Sequence, residues 1–155
     1  MNIAFLAHDK KKEDMINLAV RYREVLAPHE LYATGTTGTM VMGETGLRIT
    51  RMKSGPLGGD QQIGAMIAEG KIDVLIFFCD NLITQGHQQD VGALVRLASL
   101  YNIPFATNRT TADMIVTSSL LGDVDYERII PELIEENKLS NENDAVLGGA
   151  KIEYK

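Results

Sequence analysis

Residues 72–79 read IDVLIFFC, the most hydrophobic stretch of the chain. Eight residues are too few for a buried helix, and the run is rich in β-branched and aromatic side chains. That combination predicts a strand covered on both faces, at the centre of a parallel sheet. Working outward, Asp80 to Gln88 reads as a loop. Val91, Leu94, Val95, Ala98 and Tyr101 then recur at helical spacing, and IPFAT (Ile103–Thr107) reads as another strand. Upstream, a helix is expected from about Gly59, with Ile63, Met66 and Ile67 as its buried stripe and Gly70 as its stop. Further back, NIAFLA (Asn2–Ala7) and ELYAT (Glu30–Thr34) are short apolar runs with strand character. LRITRMK (Leu47–Lys53) alternates apolar and charged residues, as an edge strand with one exposed face would. Between these runs, Met15, Leu18, Ala19, Tyr22, Val25 and Leu26 form a helical stripe that Pro28 and His29 end. GTTGTMVMGETG is expected to be a turn leading into a short helix that stops near Gly46.

Strand and helix therefore alternate about five times. This predicts a three-layer α/β/α domain with a five-stranded, mainly parallel sheet, open and Rossmann-like. After the fifth strand, TTADMIVTSSLL opens with a threonine cap, and a last helix is expected over roughly Asp125–Asn137. Residues 1–138 read as a single domain and 139–155 as a tail with little pattern.

The chain has 155 residues, enough for one domain with a real core. Its net charge of −6 argues against nucleic acid or an anionic membrane as partner, since both need basic surface. Lys10, Lys11 and Lys12 stand out as a basic cluster in this acidic background. Cys79 is the only cysteine, so no disulfide forms within the chain and a cytoplasmic home is expected. The start, MNIAFLAHDKKKED, turns charged too early for a signal-peptide core. No apolar run approaches the roughly 20 residues of a membrane span.

In parallel α/β sheets, ligands bind beyond the carboxyl ends of the strands. Those ends carry His8-Asp9, then Thr34 followed by Gly35-Thr36-Thr37-Gly38, then Ser54-Gly55, then Asp80 with His87 and Asp90 beyond it, and finally Thr107-Asn108. Five polar ends converging on one crevice point to a site. ATGTTG suits a phosphate: glycines let backbone N–H groups approach an anion, hydroxyls add donors, and a helix start adds its positive dipole end. A capped helix start explains the same residues equally well. The stretch is neither a Walker A loop nor a dinucleotide fingerprint. SGPLGGDQQIG (Ser54–Gly64) offers a second set of small residues, followed by Asp60.

Asp60 at a first helical turn is favoured by the dipole alone, by about 0.3–1 kcal/mol. Chemically, a carboxylate ionised at pH 7 in a dry pocket can act as a general base on carbon beside a carbonyl. His87 has an acid near enough to orient it. A solvated lysine is the plainer account of Lys12, a turn residue of Asp80, a solvated face of Arg96, and a strand end with helix cap of His8 and Asp9. No set of His, Cys and acidic residues has metal-ligand spacing, so no metal is inferred.

AHDKKK, LYATGTTG, SGPLGGDQQIGAMIAEGKIDVLIFF and HQQDVGALVRLA…YNIPFATN closely resemble methylglyoxal synthase, in register from about Ile3 to Asp113. The resemblance implies conversion of dihydroxyacetone phosphate to methylglyoxal and inorganic phosphate, with no cofactor. It makes Asp60 the base and His87 the group that polarises the carbonyl and moves protons along the enediolate. Asp9, Asp80 and Asp90 match supporting acids, and His8 a site histidine. Lys12, Thr34, Gly35, Thr36, Thr37, Ser54 and Gly55 match the phosphate cradle, and Arg96 an arginine of a subunit contact or relay. A homohexamer is implied, with phosphate as regulator as well as product. Asn81 and Gly86 stand where the family usually has prolines, which implies a more flexible loop before His87. The region from Asp123 onward does not align with the family's C-terminal arginine.

Regulatory modules such as that of carbamoyl phosphate synthetase share the fold. A non-catalytic domain binding a phosphorylated metabolite is therefore the alternative. Asp60 and His87 together favour the enzyme, because a phosphate binder gains nothing from added negative charge. A phospho-signalling receiver domain fits poorly, since Ser54 and Asn108 stand where it needs an acid and a lysine.

Overall fold

The computed structural model describes residues 1–80, 88–131 and 134, with side chains not described for 88–90. Five strands form one sheet: β1 (Asn2–Ala7), β2 (Glu30–Thr34), β3 (Ile49–Met52), β4 (Val74–Phe78) and β5 (Phe105–Ala106). Their order is β3-β2-β1-β4-β5, and every pairing is parallel. IDVLIFFC supplies β4, which pairs with β1 from Ile3↔Val74 to Ala7↔Phe78. LRITRMK supplies β3, at the sheet edge as its alternation requires, with Thr50 and Arg51 exposed.

Two cores flank the sheet, because successive residues of a strand point to opposite faces. Ile3 and Phe5 of β1, with Val74, Ile76 and Phe78 of β4, pack on one side against Met15, Leu18, Val41, Ala112 and Val116. These belong to α1 (Lys12–Arg21), α3 (Gly35–Thr45) and α6 (Arg109–Val116). Ala4 and Leu6, with Leu75 and Phe77, pack on the other side against Ile63, Ile67, Leu94 and Ala98. Those come from α4 (Gly59–Ala68) and α5 (Gln88–Leu100). In α5 the buried line runs through Leu94 and Ala98 with Leu97 beside it, while Val95 is exposed.

Four sequence expectations are corrected. The first helical stripe is divided at Tyr22 into α1 and a short α2 (Arg23–Leu26), since Tyr22 leaves helical geometry at φ −108, ψ 24. No turn precedes α3: it begins at Gly35, directly after β2, and ends at Gly46, whose φ of 68 is left-handed. The cap of α6 is Asn108 rather than a threonine, its side chain accepting from Thr111 N–H at 3.0 Å. The last helix is not formed over residues 125–131, and most of the remainder of that expectation lies outside the described residues. Pro131 disfavours helical geometry at Ile130. Tertiary ties also hold the segment: Asn102 Nδ2 donates to the Ile129 carbonyl at 2.9 Å, and Arg128 pairs with Asp73 at 3.3 Å. The tail 139–155 lies outside the described residues. Among the described residues, no helix is long and apolar enough to cross a membrane.

Candidate functional site

The strand order reverses between β1 and β4, where chain connections leave the sheet in opposite directions and open a crevice. A cavity of about 360 Å³ lies at this carboxyl edge. Its lining includes His8, Asp9 and Lys12 from beyond β1, Thr34, Thr36 and Thr37 from the β2–α3 junction, and Ser54, Gly55 and Asp60 from the β3–α4 connection. Gly35 lies between two lining threonines and packs on Ser54. Nearly all the candidates among the first 60 residues are thus brought to one cavity.

Each wall has a local cause. Because α3 starts at Gly35, the peptides of Gly35, Thr36 and Thr37 form its first turn, whose N–H groups lack partners within the helix. The N–H of Gly35 donates to the Lys53 carbonyl at 3.3 Å. A Cβ on Gly35 would stand 3.0 Å from the Ser54 nitrogen, so glycine is what brings the two walls together. Thr34 and Thr37 are buried, and Thr36 is exposed.

Beyond β3, Ser54 leads a short 3-10 turn, Gly55–Leu57. Its carbonyl accepts from Leu57 N–H at 3.0 Å and from Gly59 N–H at 3.0 Å. Gly58 completes the reversal with a φ of 98, which favours glycine. The chain then enters α4 with Asp60 in the first turn and only 6% exposed. An acid so placed lies at the positive end of the helix dipole.

At the β1 end, the Asp80 backbone N–H donates to His8 Nδ1 at 2.9 Å. Nδ1 accepts, so the neutral imidazole carries its proton on Nε2. The His8 N–H donates to the Phe78 carbonyl at 3.1 Å, and the ring stands edge-on to Phe77, with centroids 5.1 Å apart. Lys12 reaches Asp9 with Nζ to Oδ1 at 2.6 Å; its own side chain is 16% exposed, while that of Asp9 is 95% exposed. Such a pair adds little stability, but it holds the ammonium at the cavity rim.

Asp80 is buried at the end of β4, beside Cys79. Burial pushes the Cys79 thiol up to about 11, so it is no nucleophile at neutral pH. Arg96 lies exposed on α5 and is not among the residues lining the cavity. His87 lies outside the described residues, as do Asn81, Gly86 and the side chain of Asp90. Sequence reasoning did not single out Pro56 and Phe77, which also line the cavity. For Phe77 the available signal was its place near the carboxyl end of the most apolar strand. Among the described residues, no group of three His, Cys, Asp or Glu is arranged to hold a metal.

This arrangement combines a buried acid with neutral donors, two helix starts and one lysine. It can hold an anionic group at one end and take a proton from a bound molecule at the other. A family model described as MGS-like domain matches residues 14–107. The chain is 54% identical over 129 residues to a methylglyoxal synthase of Bacillus anthracis, spanning 83% of this chain and 98% of that protein. It is 54% identical over 128 residues to one of Bacillus cytotoxicus, with the same coverage. A crystal structure of methylglyoxal synthase from Elizabethkingia anophelis NUHP1 superposes with a TM-score of 0.73 at 42% identity, covering 84% of this chain and 93% of that one. Sequence, fold and the content of the cavity thus agree, and the chain belongs to the methylglyoxal synthase family.

Proposed function

We propose that the chain converts dihydroxyacetone phosphate to methylglyoxal and inorganic phosphate, a carbon–oxygen lyase reaction, with Asp60 as the base. One observation carries this reading most: a buried carboxylate shares a single cavity with a phosphate-type cradle. A site built only to bind phosphate would lose affinity by burying an acid there.

The reaction balances without an oxidant. Asp60 takes a proton from the hydroxymethyl carbon; the C–H pair forms a carbon–carbon double bond and the carbonyl pair moves onto oxygen, giving the enediolate. The double-bond pair then shifts to the bond toward the carbon bearing phosphate, the hydroxymethyl oxygen gives up its proton to become the aldehyde carbonyl, and the C–O bond breaks with its electrons leaving on phosphate, which carries that proton away. The enolate left behind takes up a proton at its methylene carbon and becomes methylglyoxal. Elimination requires that C–O bond to stand out of the enediolate plane. The first turn of α3, Thr34, Thr36, Thr37, Ser54 and Gly55 supply donors that fix the phosphate in such a pose, and Lys12 offsets its growing charge. His8, with its proton on Nε2, is suited to donate toward a substrate oxygen. His87 is assigned the carbonyl-polarising role on the family resemblance, with Asp9, Asp80 and Asp90 as supporting acids and Arg96 at a subunit contact or relay. No cofactor takes part in this scheme.

The same resemblance supports a homohexamer and regulation by phosphate; the single cysteine supports a cytoplasmic location, and the residue pattern one domain over residues 1–138. Sedimentation with and without phosphate tests the assembly. The activity is tested by incubating pure protein with dihydroxyacetone phosphate in the presence of a chelator. Methylglyoxal and phosphate are expected in equal amounts. Saturable binding of the substrate without turnover would identify a regulatory binding module instead.

A further inference from the structure

We infer that Gln62 is a positioning residue for this reaction: its side chain clamps the phosphate wall of the cavity to the helix that carries Asp60. The inference rests on the proposed function and adds a residue to it.

The two walls meet at the Lys53–Ser54 peptide, just past the last paired residue of β3, Met52. The Lys53 carbonyl receives Gly35 N–H at 3.3 Å, which ties it to the start of α3. The Ser54 carbonyl receives Gly59 N–H at 3.0 Å, which ties it to the start of α4. The Lys53 N–H lies beyond the β2–β3 pairing, and Gln62 Oε1 accepts from it at 2.8 Å. Gln62 sits in α4 and donates its own N–H to the Gly58 carbonyl at 3.1 Å. It is therefore part of the rigid turn that carries Asp60, two residues earlier.

The other ties are main-chain bonds that persist through most substitutions. Among the described residues, Gln62 contributes the side-chain hydrogen bond between Lys53 and α4. Its bond is exposed and contributes modestly to folding. Its consequence is geometric. Proton abstraction requires the base within about 3–3.5 Å of the carbon whose molecule the phosphate wall holds. A clamp across those two walls fixes that distance. Methionine at position 62 has similar length but accepts no comparable hydrogen bond. Asparagine keeps the amide but is one methylene too short to reach. Glutamate keeps both the reach and an acceptor oxygen.

The test compares Gln62→Met, Gln62→Asn and Gln62→Glu with the parent protein. Three quantities are read: steady-state turnover of dihydroxyacetone phosphate, affinity for inorganic phosphate, and amide hydrogen exchange at Lys53. The Met and Asn variants are expected to lose at least about tenfold in kcat, with exchange at Lys53 faster by a similar factor. Their affinity for inorganic phosphate, which touches only one wall, should move less than about threefold. Glu should restore kcat to within about threefold of the parent and keep Lys53 protected. A residue that only stabilised the fold would lower the melting temperature and leave kcat unchanged well below it. Parent-like kcat in both Met and Asn variants, or a Glu variant as impaired as they are, overturns the clamp. A parent without turnover overturns the proposed function itself, so the two failures are told apart.

Discussion

Gly59→Ala probes the close approach on which the site depends. A Cβ at position 59 would overlap the Lys53 carbonyl oxygen outright, stand 2.8 Å from its carbon, and lie 3.0 Å from Thr34 Cγ2. The obstruction is backbone, so no flexible side chain can swing clear of it. An ordinary carbon–carbon contact needs about 3.5 Å, so the start of α4 must retreat from β3 by at least about 0.7 Å. Relieving the oxygen demands more. Overpacking of this kind costs about 1–3 kcal/mol, or roughly 2–12 °C in melting temperature for a domain of this size. Asp60 is the next residue and moves with the helix. A displacement near 1 Å between a base and its target can cost about 10²-fold in rate. The expected result is a folded protein with kcat reduced about 10²-fold and a clearly lower melting temperature. Gly43→Ala is the control: nothing lies within 4 Å of its added Cβ, and it sits exposed within α3. It should gain up to about 1 kcal/mol through helix propensity and leave kcat unaltered. A Gly59→Ala enzyme with parent kcat would refute the requirement for this approach.

Lys12→Met should raise KM for substrate and Kd for phosphate by about 10- to 10²-fold, since a hydrogen bond to a charged group is worth about 1.5–3 kcal/mol. Urea titration should show little loss of stability, because its partner Asp9 is almost fully exposed. Asn108→Ala removes the cap of α6 and should lower stability by about 0.5–2 kcal/mol in the same assay. Cys79 is 7% exposed with its thiol raised to about 11. It should resist thiol reagents at pH 8 in the native protein and react once unfolded. The folded state holds that proton at pH values where an unfolded thiol, with pKa about 8.5, has lost it. The stability it contributes is thus complete below about pH 8.5 and is lost as pH rises from there toward 11. Cys79→Ala should flatten that decline in urea midpoints measured across the range.

Much of the fold was readable because burial leaves its mark on short segments. A strand covered on both faces must be apolar at every position, as in Val74–Phe78. An edge strand alternates, as around Ile49–Met52. The site was readable in part because parallel topology sends each strand's following residues to one edge. His8, Thr34, Ser54 and Asp60, distant in sequence, therefore line one cavity. What escaped reading depends on tertiary partners. The tautomer of His8 is set by the backbone N–H of Asp80, 72 positions away. The bond from Lys53 to Gln62 leaves no pattern in composition or period. Residues 125–131 gave way to ties with Asp73 and Asn102, which local propensity does not register. The start of α3 was misplaced because Gly35 and Gly38 suggested a turn, whereas these glycines admit Ser54 and Arg51 against the helix.

The central claim is that Asp60 removes the proton from carbon. It is tested most directly by the rate of methylglyoxal formation from dihydroxyacetone phosphate by Asp60→Asn, beside the parent and with circular dichroism of both. The account predicts unchanged fold and phosphate affinity, with turnover lower by at least about 10²-fold, the lower range for loss of a general base. A folded Asp60→Asn protein turning over at the parent rate would contradict it and place the base elsewhere.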